Sequence, residues 1–193
     1  MNATPPKLGV SACLLGANVR YDGATKLNSC ITDTLGPLFI FVPVCPEVEC
    51  GLPTPREAMR LEGDPANLRL ITINSRVDKT EQLLHHIASS VTKLGEEELC
   101  GFIFKERSPS CGLATVPLQD GSIDGRFTAG LFAAEISRRF PLMPVEEAEN
   151  LGNPTIRKNF IEQVLLYRRE LDRQKISPHP DSYPIDFSAG NYQ

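Results

Sequence analysis

The sequence predicts an α/β fold: a mainly parallel sheet with helices on both faces, and a functional site at the carboxyl edge of its strands. Three observations point there. Short apolar runs, at 8–10, 38–42 and 99–104, are bounded by Gly, Pro and polar residues, as buried strands are. Helical spacing of apolar residues alternates with these runs, most clearly at Leu83, Leu84, Ile87, Val91 and Leu94. A cysteine in a polar loop follows three of the runs: Cys13 in SACLLG, Cys45 in PVCPEVECG and Cys111 in FKERSPSCG. Ligands of open α/β sheets bind beyond the carboxyl ends of the strands.

The elements follow in order. Residues 7–12 read as the first strand, and the stretch from Leu15 to Leu27 is a loop rich in Gly, Asn and Asp. A helix starts at Asn28 or Ser29 as N-cap and stops at Gly36-Pro37. The second strand, 38–44, is almost unbroken in its apolar character, as a strand covered on both faces should be. Pro43, Pro46, Pro53 and Pro55 keep 43–55 irregular, and a short helix is expected at 56–61. Residues 68–73 alternate like a half-buried strand, 80–99 form the best-marked helix, and 99–104 the next strand. Two short strands flank Asp120-Gly121 as a hairpin, and Thr128 caps a helix that runs through Arg139. A last strand is expected at 142–145.

Residues 154–175 then form an amphipathic helix with Ile156, Phe160, Ile161, Val164, Leu165 and Leu171 on its apolar side. The segment 177–193, with its Pro, Asp, Ser and Gly, is expected to be flexible. The expected organisation is a domain over 1–150, a connector helix over 151–176 and a tail over 177–193.

At 193 residues the chain is long enough for one real core. Its 41% hydrophobic and 23% charged residues are those of a soluble globular protein. A net charge of −4 argues against a global basic field for nucleic acid. No apolar leader follows Met1, and no run approaches the ~20 residues of a membrane helix. Six cysteines in such a chain are ligands, nucleophiles or core residues rather than disulfides, so a cytoplasmic, reducing location is expected.

Soft thiolates select zinc, copper(I) or iron–sulfur clusters. Structural zinc sites bring paired knuckles and four ligands. Here Cys13, Cys45 and Cys111 are isolated, Cys45 and Cys50 form a lone C-x4-C pair, and His85, His86 and His179 lie outside the motifs. Three thiolates on a four-iron cluster would leave one iron open, and such an iron is a thiophilic Lewis acid. Cys30 and Cys100 read as core residues, while Cys50 stays open as a fourth ligand. Glu47, two residues past Cys45, suits proton transfer, although spacing alone does not choose between it and Glu49. Ser108 offers a hydroxyl near Cys111, and Ser110 reads as shaping the turn.

SACLLGANVRYDG, PVCPEVECGLPTPREAMRL and FKERSPSCG together resemble the thiouracil desulfidase family, over roughly Leu8 to Phe140. The N-terminal domain of the tRNA 4-thiouridine desulfidases is similar. The resemblance implies a [4Fe–4S] cluster on Cys13, Cys45 and Cys111, with Glu47 and Ser108 in catalysis. It also implies non-redox removal of sulfur from a thiolated pyrimidine, giving hydrogen sulfide. Longer relatives carry a helical second domain and are linked to 4-thiouridine in tRNA, and LGNPTIRKNFIEQVLLYRREL resembles the connector into it. The expected substrates are therefore 4-thiouracil, 4-thiouridine or its nucleotides, with tRNA as a further partner.

Arg20, Lys26, Arg56, Arg60, Lys105 and Arg107 lie in or beside the motifs, and Arg56 and Lys105 are the expected substrate-binding residues. Two other readings compete. A non-catalytic zinc or iron–sulfur protein would use four thiolates and leave no open iron. A metal-free cysteine nucleophile would need a base beside it, yet no His falls in the motifs.

Overall fold

The computed structural model describes residues 4–119 and 126–176. The first half contains β1 (Lys7–Ser11), β2 (Ile40–Val44), α1 (Pro46–Glu49), β3 (Met59–Asp64), β4 (Asn67–Thr72) and α2 (Thr80–Glu96). The second contains β5 (Leu99–Phe104), β6 (Val116–Gln119), β7 (Phe127–Thr128), α3 (Leu131–Arg139), β8 (Val145–Glu147) and α4 (Pro154–Ile176). The strands form two four-stranded sheets, ordered β2-β1-β5-β8 and β4-β3-β6-β7. The first is parallel throughout, which is the expected fold class. The second is mixed: β3–β4 and β6–β7 are antiparallel and β3–β6 is parallel.

Strand β5 is buried along its whole length because helices cover both of its faces. On one side Phe102 stacks on Phe104 at 4.3 Å, and Phe132 of α3 meets Phe102 edge-on at 5.6 Å. Leu83, Ile87 and Val91 of α2 belong to the same cluster. On the other side Leu8, Val10 and Ile103 pack with Phe160 and Val164 of α4. Gly101 permits that approach, since a Cβ there would lie 2.9 Å from Val164 Cγ2. The apolar side of α4 thus seals the sandwich, while Leu165 and Leu166 remain 40% and 60% exposed.

Several expectations change. Residues 56–61 are not a helix: from Met59 they form β3, hydrogen-bonded to β4 on one side and β6 on the other. Two strand partners outweigh the modest helix propensity of EAMRL. The irregular stretch 43–55 contains the one-turn helix α1, with Pro46 supplying its fixed φ at the first turn. Strand β2 is not covered on both faces; it is an edge strand with Ile40 40% exposed, a position that suits Pro43.

The first expected helix is a π-helical turn at Cys30–Leu35, held by the Asn28 carbonyl. Helix α3 starts at Leu131 with Gly130 as N-cap, because Thr128 is taken by pairing with Val116. The last strand lies at Val145–Glu147 rather than 142–145, since Phe140–Met143 closes a turn. The flanks of the expected hairpin pair as β6 and β7, whereas Asp120-Gly121 and the tail lie outside the described residues.

Candidate active site

Neighbouring parallel strands β2, β1 and β5 deliver three loops to one edge of the sheet. Ser11 closes β1, and a 3-10 turn over Ala12–Leu15 then carries Cys13. The Cys13 carbonyl accepts the Lys26 amide at 2.9 Å, folding the Gly- and Asn-rich loop back onto it. Cys45 follows Val44 directly and precedes α1; its amide donates to Glu49 Oε1 at 2.7 Å.

The third loop, 105–112, is fixed from both sides. Ser108 Oγ accepts the amides of Ser110 at 3.3 Å and Cys111 at 3.1 Å. The first turn of α3 clasps the loop, Leu131 N donating to Pro109 O at 3.1 Å and Phe132 N to Ser110 O at 2.9 Å. Only glycine fits at position 130, where a Cβ would lie 2.5 Å from the Ser110 carbonyl carbon. Buried Glu147, ending β8, accepts the Leu113 amide at 2.8 Å and the Thr115 hydroxyl at 2.7 Å.

These loops enclose a cavity of about 330 Å³ lined by Cys13, Cys45, Cys111, Glu47, Arg56, Lys105 and Ser108. All seven residues singled out from the sequence therefore share one wall system. Burial raises each thiol. It pushes Cys45 up to about 11 and Cys111 well above the ordinary thiol range, the latter opposed by a hydrogen bond from Ser11. Cys13 also rises through burial, with Lys105 and Arg20 pulling against it. A bound metal favours the thiolate and reverses this bias.

Glu47 occupies the centre of a buried polar network. Its Oε1 accepts from Ser110 Oγ at 2.8 Å, and its Oε2 accepts from Arg56 Nη2 at 2.6 Å and Nε at 2.9 Å. Arg56 also donates to the carbonyls of Val19 at 3.0 Å and Pro53 at 3.3 Å and to Thr54 Oγ1 at 3.3 Å. Its guanidinium is thus held within the wall, bracing Glu47 and joining the first two loops. Lys105 gives two of its three ammonium donors to Glu106, at the carbonyl (2.9 Å) and Oε1 (2.7 Å). Glu49, the alternative to Glu47 by spacing, faces elsewhere: its Oε2 meets His86 at 3.3 Å in a separate open groove.

The remaining cysteines stand apart. Cys50 lies in that second groove with His85 and His86, its thiol donating to the Glu47 carbonyl at 3.1 Å. Cys30 contacts the Leu151 carbonyl at 3.4 Å and Arg157 at 3.3 Å, and Cys100 is fully buried in the cluster beneath α4. Arg20 and Arg107 line the cavity, whereas Arg60 pairs with Glu62 at 2.6 Å.

Sequence reasoning missed Ser110 and Glu106. Ser110, read as a turn residue, is fully buried and serves Glu47 across 63 residues of chain. No local pattern announces that contact. Glu106 sits inside FKERSPSCG beside Lys105, and its motif position was the available signal.

Among the described residues, no group of three or more His, Cys, Asp or Glu is placed to share one metal ion. A four-iron cluster asks for something different, because each thiolate meets a different iron and the sulfurs stand further apart. Three soft thiols lining one cavity, with no imidazole among its lining residues, fit that group better than a single zinc ion.

Fold and cavity define an α/β protein with a thiol trio and a braced carboxylate at the carboxyl edge of a parallel sheet. Comparison with known proteins narrows this class. The chain matches the family described as 2-thiouracil desulfurase over residues 8–148. It is similar to a solved structure described as the [4Fe–4S]-dependent thiouracil desulfidase TudS, with a TM-score of 0.63 and 31% identity. That similarity covers 76% of this chain and 93% of the other. No curated protein matches. The chain belongs to the 2-thiouracil desulfurase family. Helix α4 lies beyond the matched residues.

Proposed function

We propose that this protein is a [4Fe–4S]-dependent desulfidase that hydrolyses thiolated pyrimidines to the oxo compound and hydrogen sulfide. The observation that carries the reading is the single cavity shared by Cys13, Cys45, Cys111 and the braced Glu47. The three cysteines would hold the cluster, whose open iron supplies a Lewis acid for the thiocarbonyl sulfur.

Glu47 is the general base. Arg56 and Ser110 fix both carboxylate oxygens while leaving one lone pair, on Oε1, for a water molecule. That water attacks the ring carbon, and Glu47 takes its proton. The water oxygen becomes the carbonyl oxygen, the carbon–sulfur bond breaks, and sulfur leaves at the oxidation level of sulfide. The two protons of water end on hydrogen sulfide, so no oxidant or reductant is consumed. Ser108, whose oxygen already accepts two amides, donates its hydroxyl proton to the ring or the attacking water.

The cavity of about 330 Å³ is at the small end for ligand sites and would take the cluster as well as the substrate, so it suits a free base, or a nucleotide whose sugar and phosphate stay at its mouth. Free thiouracil is therefore the first substrate and a 4-thiouridine nucleotide the second, with Arg20 and Arg107 at the wall for its phosphate. Thiouridine in tRNA would need a flipped or single-stranded base to enter. Free thiols beside a cluster suit a reducing compartment such as the cytoplasm.

Glu47→Gln tests the assignment. The shape is kept and iron should stay bound, while sulfide release should fall by at least ~10²-fold, the scale of a lost general base. Near-full rate with full iron would move the base elsewhere.

A further inference from the structure

Glu106 lines the same cavity, with its side chain only 12% exposed. Its two carboxylate oxygens differ. Oε1 accepts from Lys105 Nζ at 2.7 Å. Oε2 is the one buried side-chain nitrogen or oxygen among the described residues that has no hydrogen-bond partner. A buried, unpaired carboxylate oxygen is costly, and on a residue that lines a ligand cavity it is an acceptor that a small turn of the side chain offers to a ligand donor. Burial pushes the Glu106 carboxyl upward, but Lys105 and the local amide outweigh it, so the group stays an ionised acceptor.

The chemistry of the substrate class names the donor. A thiouracil keeps one ring donor whether it is a free base or glycosylated at N1: the N3–H between its two carbonyl or thiocarbonyl groups. We propose that Glu106 and Lys105 read this imide edge, Glu106 Oε2 accepting the N3–H while the remaining Lys105 donor meets the flanking oxygen. Glu106 is then a specificity-determining residue for uracil-type rings. A cytosine-type ring presents a lone pair at N3, which faces the carboxylate with like polarity and is rejected. The inference rests on the thiouracil reading of the cavity and adds to it which ring is admitted.

The test uses iron-loaded full-length protein and the variants Glu106→Ala and Glu106→Gln. The wild type should favour 2-thiouracil over 3-methyl-2-thiouracil in kcat/KM by at least about 10-fold, the scale of a hydrogen bond to a charged partner. Glu106→Ala should bring that ratio close to one. Glu106→Gln keeps the volume and can keep Lys105 paired through its amide oxygen, but it presents N–H₂ where Oε2 stood. Calorimetric dissociation constants should then shift from a preference for uracil towards cytosine, a reversal that relief of crowding does not produce.

An unchanged substrate ratio in Glu106→Ala overturns the proposal. So does a wild-type uracil preference retained by Glu106→Gln, or no such preference in the wild type. Failure of iron-loaded wild type to release sulfide from 2-thiouracil would instead overturn the desulfidase reading. The uracil and cytosine dissociation constants would still decide the part played by Glu106.

Discussion

Replacing Arg56 with Met removes the brace from Glu47 while keeping most of the apolar stem. Arg56 and Glu47 expose only 7% and 11% of their side chains, so the pair is largely shielded from solvent. Its loss leaves Glu47 Oε2 without the donors now at 2.6 and 2.9 Å. Two charge-assisted bonds at about 1.5–3 kcal/mol each give a cost of about 3–6 kcal/mol, in line with the usual penalty of about 3–5 kcal/mol for orphaning one member of a buried pair. With a urea slope of about 1–3 kcal/mol/M, the unfolding midpoint should fall by at least about 1 M. Glu47→Gln added to Arg56→Met removes the orphaned charge, so the double variant should recover about 1 kcal/mol or more relative to additivity. Denaturation of the four proteins, followed by circular dichroism, closes the cycle. A midpoint shift below about 0.5 M, or strictly additive losses, would refute the view that Arg56 holds a buried Glu47 carboxylate.

Two further outcomes are expected. Cys13→Ala, Cys45→Ala and Cys111→Ala should each abolish iron binding after reconstitution without oxygen. Cys30→Ala, Cys50→Ala and Cys100→Ala should retain it, as iron and sulfide analysis will read. Iron lost from Cys50→Ala would favour four-thiolate ligation and defeat the open-iron chemistry. Asp78 accepts from the Thr80 hydroxyl at 2.5 Å and the Thr80 amide at 2.8 Å at the start of α2, and from Arg69, and these donors hold its carboxyl at about 2 against an ordinary 3.8. A depressed pKa gives stability that is present above the ordinary value and is lost as pH falls from about 3.8 towards 2. Asp78→Ala should thus cost about 1 kcal/mol or less at neutral pH, given its exposure, and almost nothing near pH 2. An undiminished difference at pH 2 in thermal melts would contradict this.

Much of the site was legible because its signals are local. Cys13, Cys45 and Cys111 follow apolar runs that had to be strands, and parallel neighbours send their carboxyl-end loops to the same edge. Helix α2 was legible for the same reason, its buried Leu83, Ile87, Val91 and Leu94 repeating within one element. What the chain could not announce depends on partners distant in sequence. The stretch around Met59 became a strand because β4 and β6 offered backbone hydrogen bonds on both sides. Strand β2 looked central by composition but lies at the edge, an assignment made by sheet order.

The division is sharpest around Glu47. The thiols, the carboxylate and the serine-bearing loop are written in short motifs, since each needs only a strand end and a turn to present it. Their coupling is not written there. Ser110 reaches Glu47 because α3 clasps its carbonyl and Gly130 allows the close approach. Arg56 turns inward because Glu47 and the carbonyls of Val19 and Pro53 surround it. The unpaired oxygen of Glu106 exists only once the fold has buried it beside the cavity. Residue type and short-range spacing determine which chemistry is available. Burial and hydrogen bonding across tens of residues decide which groups are charged, aimed and left open, because those depend on what the folded chain places within about 3 Å.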